Sequence, residues 1–184
     1  LLAAAAAEPQ YLATDTHWTP AAMERVAAAL ADRLEASFDL PPPEGPGFFR
    51  RAATVEGVGD IVTMLRLPEG QTLYPPQRVT VETVLTPEGD PWRPDPSAAV
   101  LLLGDSFTNI YSDPALGFGA GAGLAEQLSY HLSRPVDRIA QNAGGAAATR
   151  RALARDLGAG RDRLTGKRVV VYQFAARELA GGDW

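Results

Sequence analysis

AAVLLLGDSF, Ala98 to Phe107, is an uninterrupted apolar run that ends in Gly-Asp-Ser. The run is too short for most helices and stops at a glycine, the pattern of a central parallel strand buried on both faces. In open α/β sheets the working residues gather at the carboxyl ends of the strands. Ser106 therefore stands where a nucleophile would be presented, with Gly104 giving the backbone room for a tight turn and the Ser106 amide facing a developing oxyanion. Taken alone, Gly-Asp-Ser is also an ordinary turn composition.

Outward from this strand the pattern alternates. A helix is predicted over Ala120 to Leu132 with Leu124, Leu128 and Leu132 inward. VDRIAQNAGG (Val136–Gly145) reads as a short strand running into a glycine loop, AAATRRALARDL (Ala146–Leu157) as a helix, and KRVVVYQFAARE (Lys167–Glu178) as a second buried strand. Alternating helices and apolar strands imply a three-layer α/β/α sandwich with a mainly parallel sheet. Before the central strand, residues 18–37 predict a helix with Thr19 as N-cap, Pro20 at the first helical position and Trp18 stapling onto Met23. Its buried stripe is Met23, Val26, Leu30 and Leu34. LPPPEGPG (Leu40–Gly47) breaks the chain. Residues 48–92 then read as a β-rich insertion, with GDIVTMLRL (Gly59–Leu67) and QRVTVETVL (Gln77–Leu85) as strands and turns at PEGQ and PEGD. The sequence shows no internal repeats.

At 184 residues with 46% hydrophobic content the chain is expected to be one domain, residues 1–184. A net charge of -5 gives no basic field for a nucleic-acid backbone, so nucleic acid is not an expected partner. The absence of cysteine excludes disulfides and thiolate metal sites and fits either an exported or a cytosolic protein. LLAAAAAEPQ reads as a helix or lead-in, and no apolar run approaches the roughly 20 residues of a membrane span. A further C-terminal helix or carbohydrate-binding module is expected to follow Trp184.

With only two histidines in the chain, YLATDTHWTP (Tyr11–Pro20) attracts notice by setting Asp15 two residues before His17 at a predicted helix start. A serine hydroxyl needs a base, and an imidazole base needs a carboxylate to fix its tautomer and stabilise its cation. The same residues also suit helix capping, with Asp15 accepting backbone N–H groups. The presence of GDSF favours catalysis. Asp105 is expected to be a structural acceptor at its turn, and His131 a packing or surface residue. GFGAGAG (Gly117–Gly123) lacks the spacing of a nucleotide loop and is expected to be a flexible loop over the site. Trp18, Tyr111 and Trp184 are aromatic candidates for a sugar groove.

LLLGDSFTNIY (Leu101–Tyr111) resembles the nucleophile block of the SGNH (GDSL-type) hydrolase superfamily, and NAGGAAAT (Asn142–Thr149) resembles its second block. Most members carry the Asp-His pair near the C-terminus. Here TDTHW (Thr14–Trp18) precedes GDSF, the order of the alginate O-acetyltransferase group, whose Arg-containing strand end VVVYQFAAREL (Val169–Leu179) also resembles. The resemblance implies an SGNH-like fold with Ser106 as nucleophile, His17 as base and Asp15 as its orienter. For oxyanion and substrate binding it implies Gly144, Asn142 and Arg177, to which Tyr111 is added as a substrate-binding candidate on its aromatic character. Gly144 is equally readable as a turn glycine. Arg177 stands where the third block normally supplies Asn, and is readable either as an anion holder or as the ion-pair partner of Glu178.

The expected function is therefore acetyl transfer, through an acetyl-serine, to hydroxyls of an exported, alginate-like polysaccharide in the periplasm. The expected partners are that acceptor and an acetyl donor, either a small molecule or an acetyl-carrying membrane protein. No cofactor and no metal are expected, since two widely separated histidines without cysteine make a poor zinc set. A carbohydrate esterase with the same triad and a non-catalytic polysaccharide-binding domain are the alternatives.

Overall fold

The computed structural model describes residues 8–43 and 45–181. The lead-in at the first seven residues and Trp184 lie outside them. The central strand is β3, Val100–Gly104, and all five of its residues are buried. It pairs in parallel with β4 (Asp137–Ala140) on one side and β5 (Val169–Tyr172) on the other, giving the order β4-β3-β5. The side-chain period of two divides β3 between two cores. Val100 and Leu102 join the larger one beneath α1 (Pro20–Ser37) and α4 (Leu124–Leu132), while Leu101 and Leu103 pack with Ile139, Ala152 and Leu153 beneath α5 (Ala147–Gly158). The result is an α/β/α sandwich, with the β3–β4 crossover on one face and the β4–β5 crossover on the other.

The start of α1 follows the sequence closely. Thr19 caps the helix, its hydroxyl accepting from Ala22 N–H at 3.2 Å, and Pro20 occupies the first helical turn. The buried stripe is different. Met23 and Leu34 face inward, but Ala22, Ala27 and Ala31 fill the rest of the face, Leu30 is only partly buried and Val26 is exposed. Alanines there let α1 lie close against α4, where bulkier side chains would force the helices apart. His131 on α4 is the structural residue the sequence implied, 2.9 Å from Glu24 on α1.

Helix α4 begins four residues later than predicted. The backbone of Gly121 and Ala122 is already committed elsewhere, to Val84 N–H at 2.8 Å and to Tyr111 C=O at 2.9 Å. In the insertion, β1 (Phe49–Gly57) and β2 (Gln77–Leu85) form an antiparallel pair whose Val81 and Val84 join the larger core. The predicted strand GDIVTMLRL is instead a short helix, α2 (Asp60–Met64). Its β-branched residues find no free strand to pair with, because β1 and β2 take each other, and β-propensity yields to that context. The last strand also departs from expectation. Among the described residues β5 has a neighbour only on the β3 side, and its Val170 is 42% exposed.

Candidate active site

Ser106 opens α3 (Ser106–Asn109), directly after β3. As the first residue of a helix, its amide has no acceptor within that helix. Gly104 is required for this corner, since a Cβ there would lie 2.0 Å from Thr108 Oγ1. Asp105 is the structural acceptor expected of it. One oxygen takes Phe107 N–H at 2.8 Å and the other Ala175 N–H at 2.7 Å, which ties the turn to the chain leaving β5. Gln173 strengthens the same tie, its side-chain oxygen accepting from Asp105 N–H at 3.1 Å and Thr108 Oγ1 at 2.8 Å.

Asp15 and His17 sit at the tip of a loop closed by two backbone hydrogen bonds of 3.0 Å, Leu12 N–H to His17 C=O and Thr19 N–H to Gln10 C=O. Two aromatic residues pin this loop to the serine corner. Trp18 Nε1 donates to Phe107 C=O at 3.0 Å, and Tyr111 Oη donates to Trp18 C=O at 2.7 Å. The His17 ring centroid lies 4.8 Å from that of Phe107. Tyr111 is fully buried against Phe118, with its hydroxyl pushed far above its ordinary pKa, first by burial and then by the Asp15 charge. Tyr111 does not line the cavity, and both it and Trp18 brace the loop.

Within the loop, His17 Nδ1 lies 2.5 Å from Asp15 Oδ1, and the same oxygen accepts His17 N–H at 2.9 Å. The other carboxylate oxygen accepts Asp60 N–H at 2.8 Å. Burial alone would raise the Asp15 carboxyl, but the His17 ring and the Asp60 and His17 amides outweigh it and hold the group below its usual value. Asp15 is thus ionised at neutral pH, and it holds the ring through Nδ1, leaving Nε2 as the nitrogen it does not engage. His17 Nε2 is buried and has no hydrogen-bond partner among the described residues. The Ser106 hydroxyl is therefore not bonded to it.

Asp60 is the site residue that sequence reasoning missed. Its carboxylate clamps Thr16, accepting from N–H at 2.8 Å and from Oγ1 at 2.6 Å, and it comes within 4.0 Å of His17 Nδ1. Gly59 makes this approach possible, because a Cβ there would lie 2.0 Å from Thr14 O. A Gly-Asp pair is a plausible helix start as well as a strand edge, and that was the available signal. Asp15, His17 and Asp60 bring three ligating atoms within 4.8 Å of one another. Their oxygens are, however, already engaged with the ring, Thr16 and backbone amides.

Asp15, His17, Ser106, Asp60, Asn142 and Arg177 all line one cavity of about 440 Å³. Asn142 is held from both sides, its Oδ1 accepting from Asn109 Nδ2 at 2.7 Å and its Nδ2 donating to Asp113 at 2.6 Å. Gly144 sits in the exposed turn that follows and is not part of the cavity wall. Arg177 is on the rim, with a 62% exposed side chain 3.7 Å from Glu178. Glu178 is committed instead to Ala146 N–H at 3.0 Å. The Gly117–Gly123 segment is no flexible cover. Gly117 touches the cavity, but Phe118 and Ala122 are fully buried, and the segment is hydrogen-bonded to both β2 and Tyr111.

A parallel-sheet α/β/α sandwich with Gly-Asp-Ser at the end of its central strand defines the class of SGNH hydrolase-like folds. The chain belongs to the family described as the SGNH hydrolase-like domain of the acetyltransferase AlgX, whose model matches residues 1–176. The O-acetyltransferase domain of Pseudomonas putida AlgJ superposes with a TM-score of 0.69 at 24% identity, covering 97% of this chain and 57% of that one. AlgX of Pseudomonas aeruginosa superposes with a TM-score of 0.61 at 18% identity, covering 90% of this chain and 35% of that one. This chain thus spans little more than half of the first structure and about a third of the second. No curated protein matches it in sequence.

Proposed function

We propose that this chain is the catalytic part of a polysaccharide O-acetyltransferase acting outside the cytoplasm, with Ser106 as nucleophile, His17 as general base and acid, and Asp15 as the orienter of His17. The observation that carries the reading is the Asp15–His17 pair, buried and facing the same cavity as Ser106, with its remaining ring nitrogen unpaired. Catalytic hydrogen bonds commonly tighten only when substrate is bound, so the open Nε2 is compatible with a base awaiting its proton.

In this reaction Ser106 Oγ attacks the acetyl carbonyl of the donor while His17 Nε2 takes the hydroxyl proton. The tetrahedral oxyanion meets the Ser106 amide and, by our reading, the Asn142 side chain. Collapse breaks the bond to the donor's leaving group, which takes the proton back from His17 and leaves acetyl-Ser106. A sugar hydroxyl then attacks the acetyl-enzyme as His17 removes its proton, and a second collapse returns that proton to Ser106 and frees the acetylated sugar. Asp15 remains ionised throughout and stabilises the imidazolium formed in each half.

Family membership supports acetyl transfer to an exported polysaccharide of the alginate kind; the donor in this proposal is a small molecule or an acetyl-carrying membrane protein. Among the described residues no helix is long and apolar enough to cross a membrane. The test is incubation with an activated acetyl ester with and without oligouronates, followed by mass measurement of both protein and sugar. Acetylated sugar formed at the expense of free acetate is the expected result. Acetate release that no sugar diverts would make the chain an esterase, and no turnover at all would leave it a binding domain.

A further inference from the structure

Two carboxylates face the ring nitrogen Nδ1 of His17. Asp15 Oδ1 lies 2.5 Å away and Asp60 Oδ2 4.0 Å away, the second on a side chain that is 32% exposed. Asp60 is the first residue of α2, and an acid in that position ordinarily serves its own helix, through the helix dipole or the free first amides. Its oxygens point elsewhere. Both turn to Thr16, the residue between Asp15 and His17, accepting from Thr16 N–H at 2.8 Å and from Thr16 Oγ1 at 2.6 Å. The Asp60 N–H reaches the far oxygen of Asp15 at 2.8 Å. One residue from the insertion therefore holds Asp15 and Thr16 directly and places its charge beside His17.

That charge has no permanent counter-ion in the site. Arg177 is the single arginine of the cavity lining, which has no lysine, and it stands at the rim 3.7 Å from Glu178. Among the described residues Asp60 has no arginine or lysine partner, so the nearest group that can balance it is the His17 ring. A unit charge about 4 Å away changes a proton equilibrium about fivefold even with the screening of bulk water. The other ionisable groups around the ring are committed. Asp15 is bonded to it, Tyr111 donates to the Trp18 carbonyl, and Asp105 holds Phe107 and Ala175 N–H. Asp113 connects to the cavity only through Asn142.

We propose that Asp60 is a positioning residue of the Ser106 site: its carboxylate clamps the Asp15-Thr16-His17 turn and supplies a second negative charge to the imidazolium formed in each half of the reaction. Its contribution to rate rests on the acetyl-transfer reading above; the charge beside the ring does not.

The chain has two histidines, which makes the ring directly observable. With isotope-labelled histidine in the whole chain, NMR across a pH series follows His17 and His131 separately. Asp60→Asn keeps the size of the side chain and an oxygen for Thr16, and it removes the charge. In this variant the ratio of protonated to neutral His17 at a given pH should fall about fivefold. His131, which pairs with Glu24, should not move and so reports an intact fold. Thr16→Val removes the hydroxyl contact but keeps the charge, and should leave the His17 ratio within about twofold of wild type. Measured above the pH range in which the ring titrates, kcat for p-nitrophenyl acetate should fall about fivefold in Asp60→Asn at nearly constant KM. A His17 ratio unmoved by Asp60→Asn, or moved as far by Thr16→Val, would overturn the proposal whether or not the chain turns over the ester. An unchanged kcat beside a moved ratio would overturn the positioning role. Turnover that survives Ser106→Ala while the ratio moves removes only the acetyl-transfer reading.

Discussion

Two carboxylates are almost closed to solvent in this molecule, and their surroundings push them in opposite directions. Asp15, at the tip of the loop before α1, accepts two backbone amides and an imidazole, and these hold it below its usual pKa against the cost of burial. Glu126, inside α4, has Ser112 at 2.7 Å and Arg138 at 3.2 Å, yet burial outweighs both and pushes its pKa up. Low exposure alone therefore does not decide the charge state. What decides it is how many donors converge on the group and how far water is excluded. One carboxylate is kept as an anion beside a histidine, in a cavity wall. The other is held in packed interior, where the ionised form is disfavoured.

The largest expected effect tests whether only the first site carries chemistry. Ser106→Ala or His17→Ala should lower turnover of p-nitrophenyl acetate by about four orders of magnitude or more, and the double variant should cost little beyond either single change. Glu126→Gln should stay within about twofold of wild type in the same assay. Loss of activity in Glu126→Gln comparable to that in His17→Ala would erase the distinction between the two carboxylates.

Next in size is Asp15→Asn. An amide there can hold the wrong tautomer and does not stabilise imidazolium, so the rate should fall by up to about 10⁴ with the thermal transition nearly in place. A variant that keeps most of its rate would return Asp15 to the capping role it also suits.

Gly59→Ala sharpens the comparison from the structural side. The added methyl meets the Thr14 carbonyl and the Asp15 side chain, so the loop must shift. A stability loss of about 1–3 kcal/mol is expected. The rate, measured well below the transition temperature, should fall as well, because the Asp60 amide would no longer reach Asp15.

The smallest effect is in pH dependence, and the two groups should differ in sign. The lowered pKa of Asp15 means that its contribution to stability is present above the ordinary value of 3.8 and is lost as pH falls through the folded value. The raised pKa of Glu126 means the reverse: its contribution is present below 4.5 and is lost as pH rises through the folded value. Chemical denaturation from pH 4 to 8 should show Glu126→Gln gaining on wild type as pH rises. A constant difference across that range would mean that Arg138 and Ser112 keep Glu126 at its ordinary pKa.

Much of the scaffold was legible in the chain because its determinants are local. Six apolar residues ending in Gly-Asp-Ser are enough to mark β3 and the corner after it. Thr19 followed by Pro20 is enough to start α1, since capping depends on the stereochemistry of adjacent residues. The approximate ends of α5 and the strand character of Gln77–Leu85 follow from the same short-range patterns. Asp15, His17 and Ser106 could be singled out by type and by resemblance, and Asp105 could be set aside as a turn acceptor.

Tertiary structure alone decided the rest, because the deciding contacts are remote in sequence. Asp60 lies 45 residues from the carboxylate it braces, and no local pattern connects them. The same fold turned Gly59–Leu67 from a predicted strand into a helix with its first amide on Asp15. The alanine face of α1 was chosen by the proximity of α4, not by hydrophobicity, so Val26 was left outside. Tyr111 was drawn into the core because Trp18 offers its carbonyl there. Sequence could name these side chains, but only the folding of the sheet and its insertion determined which of them became neighbours, since hydrogen bonds and ion pairs act over a few ångströms of space regardless of distance along the chain.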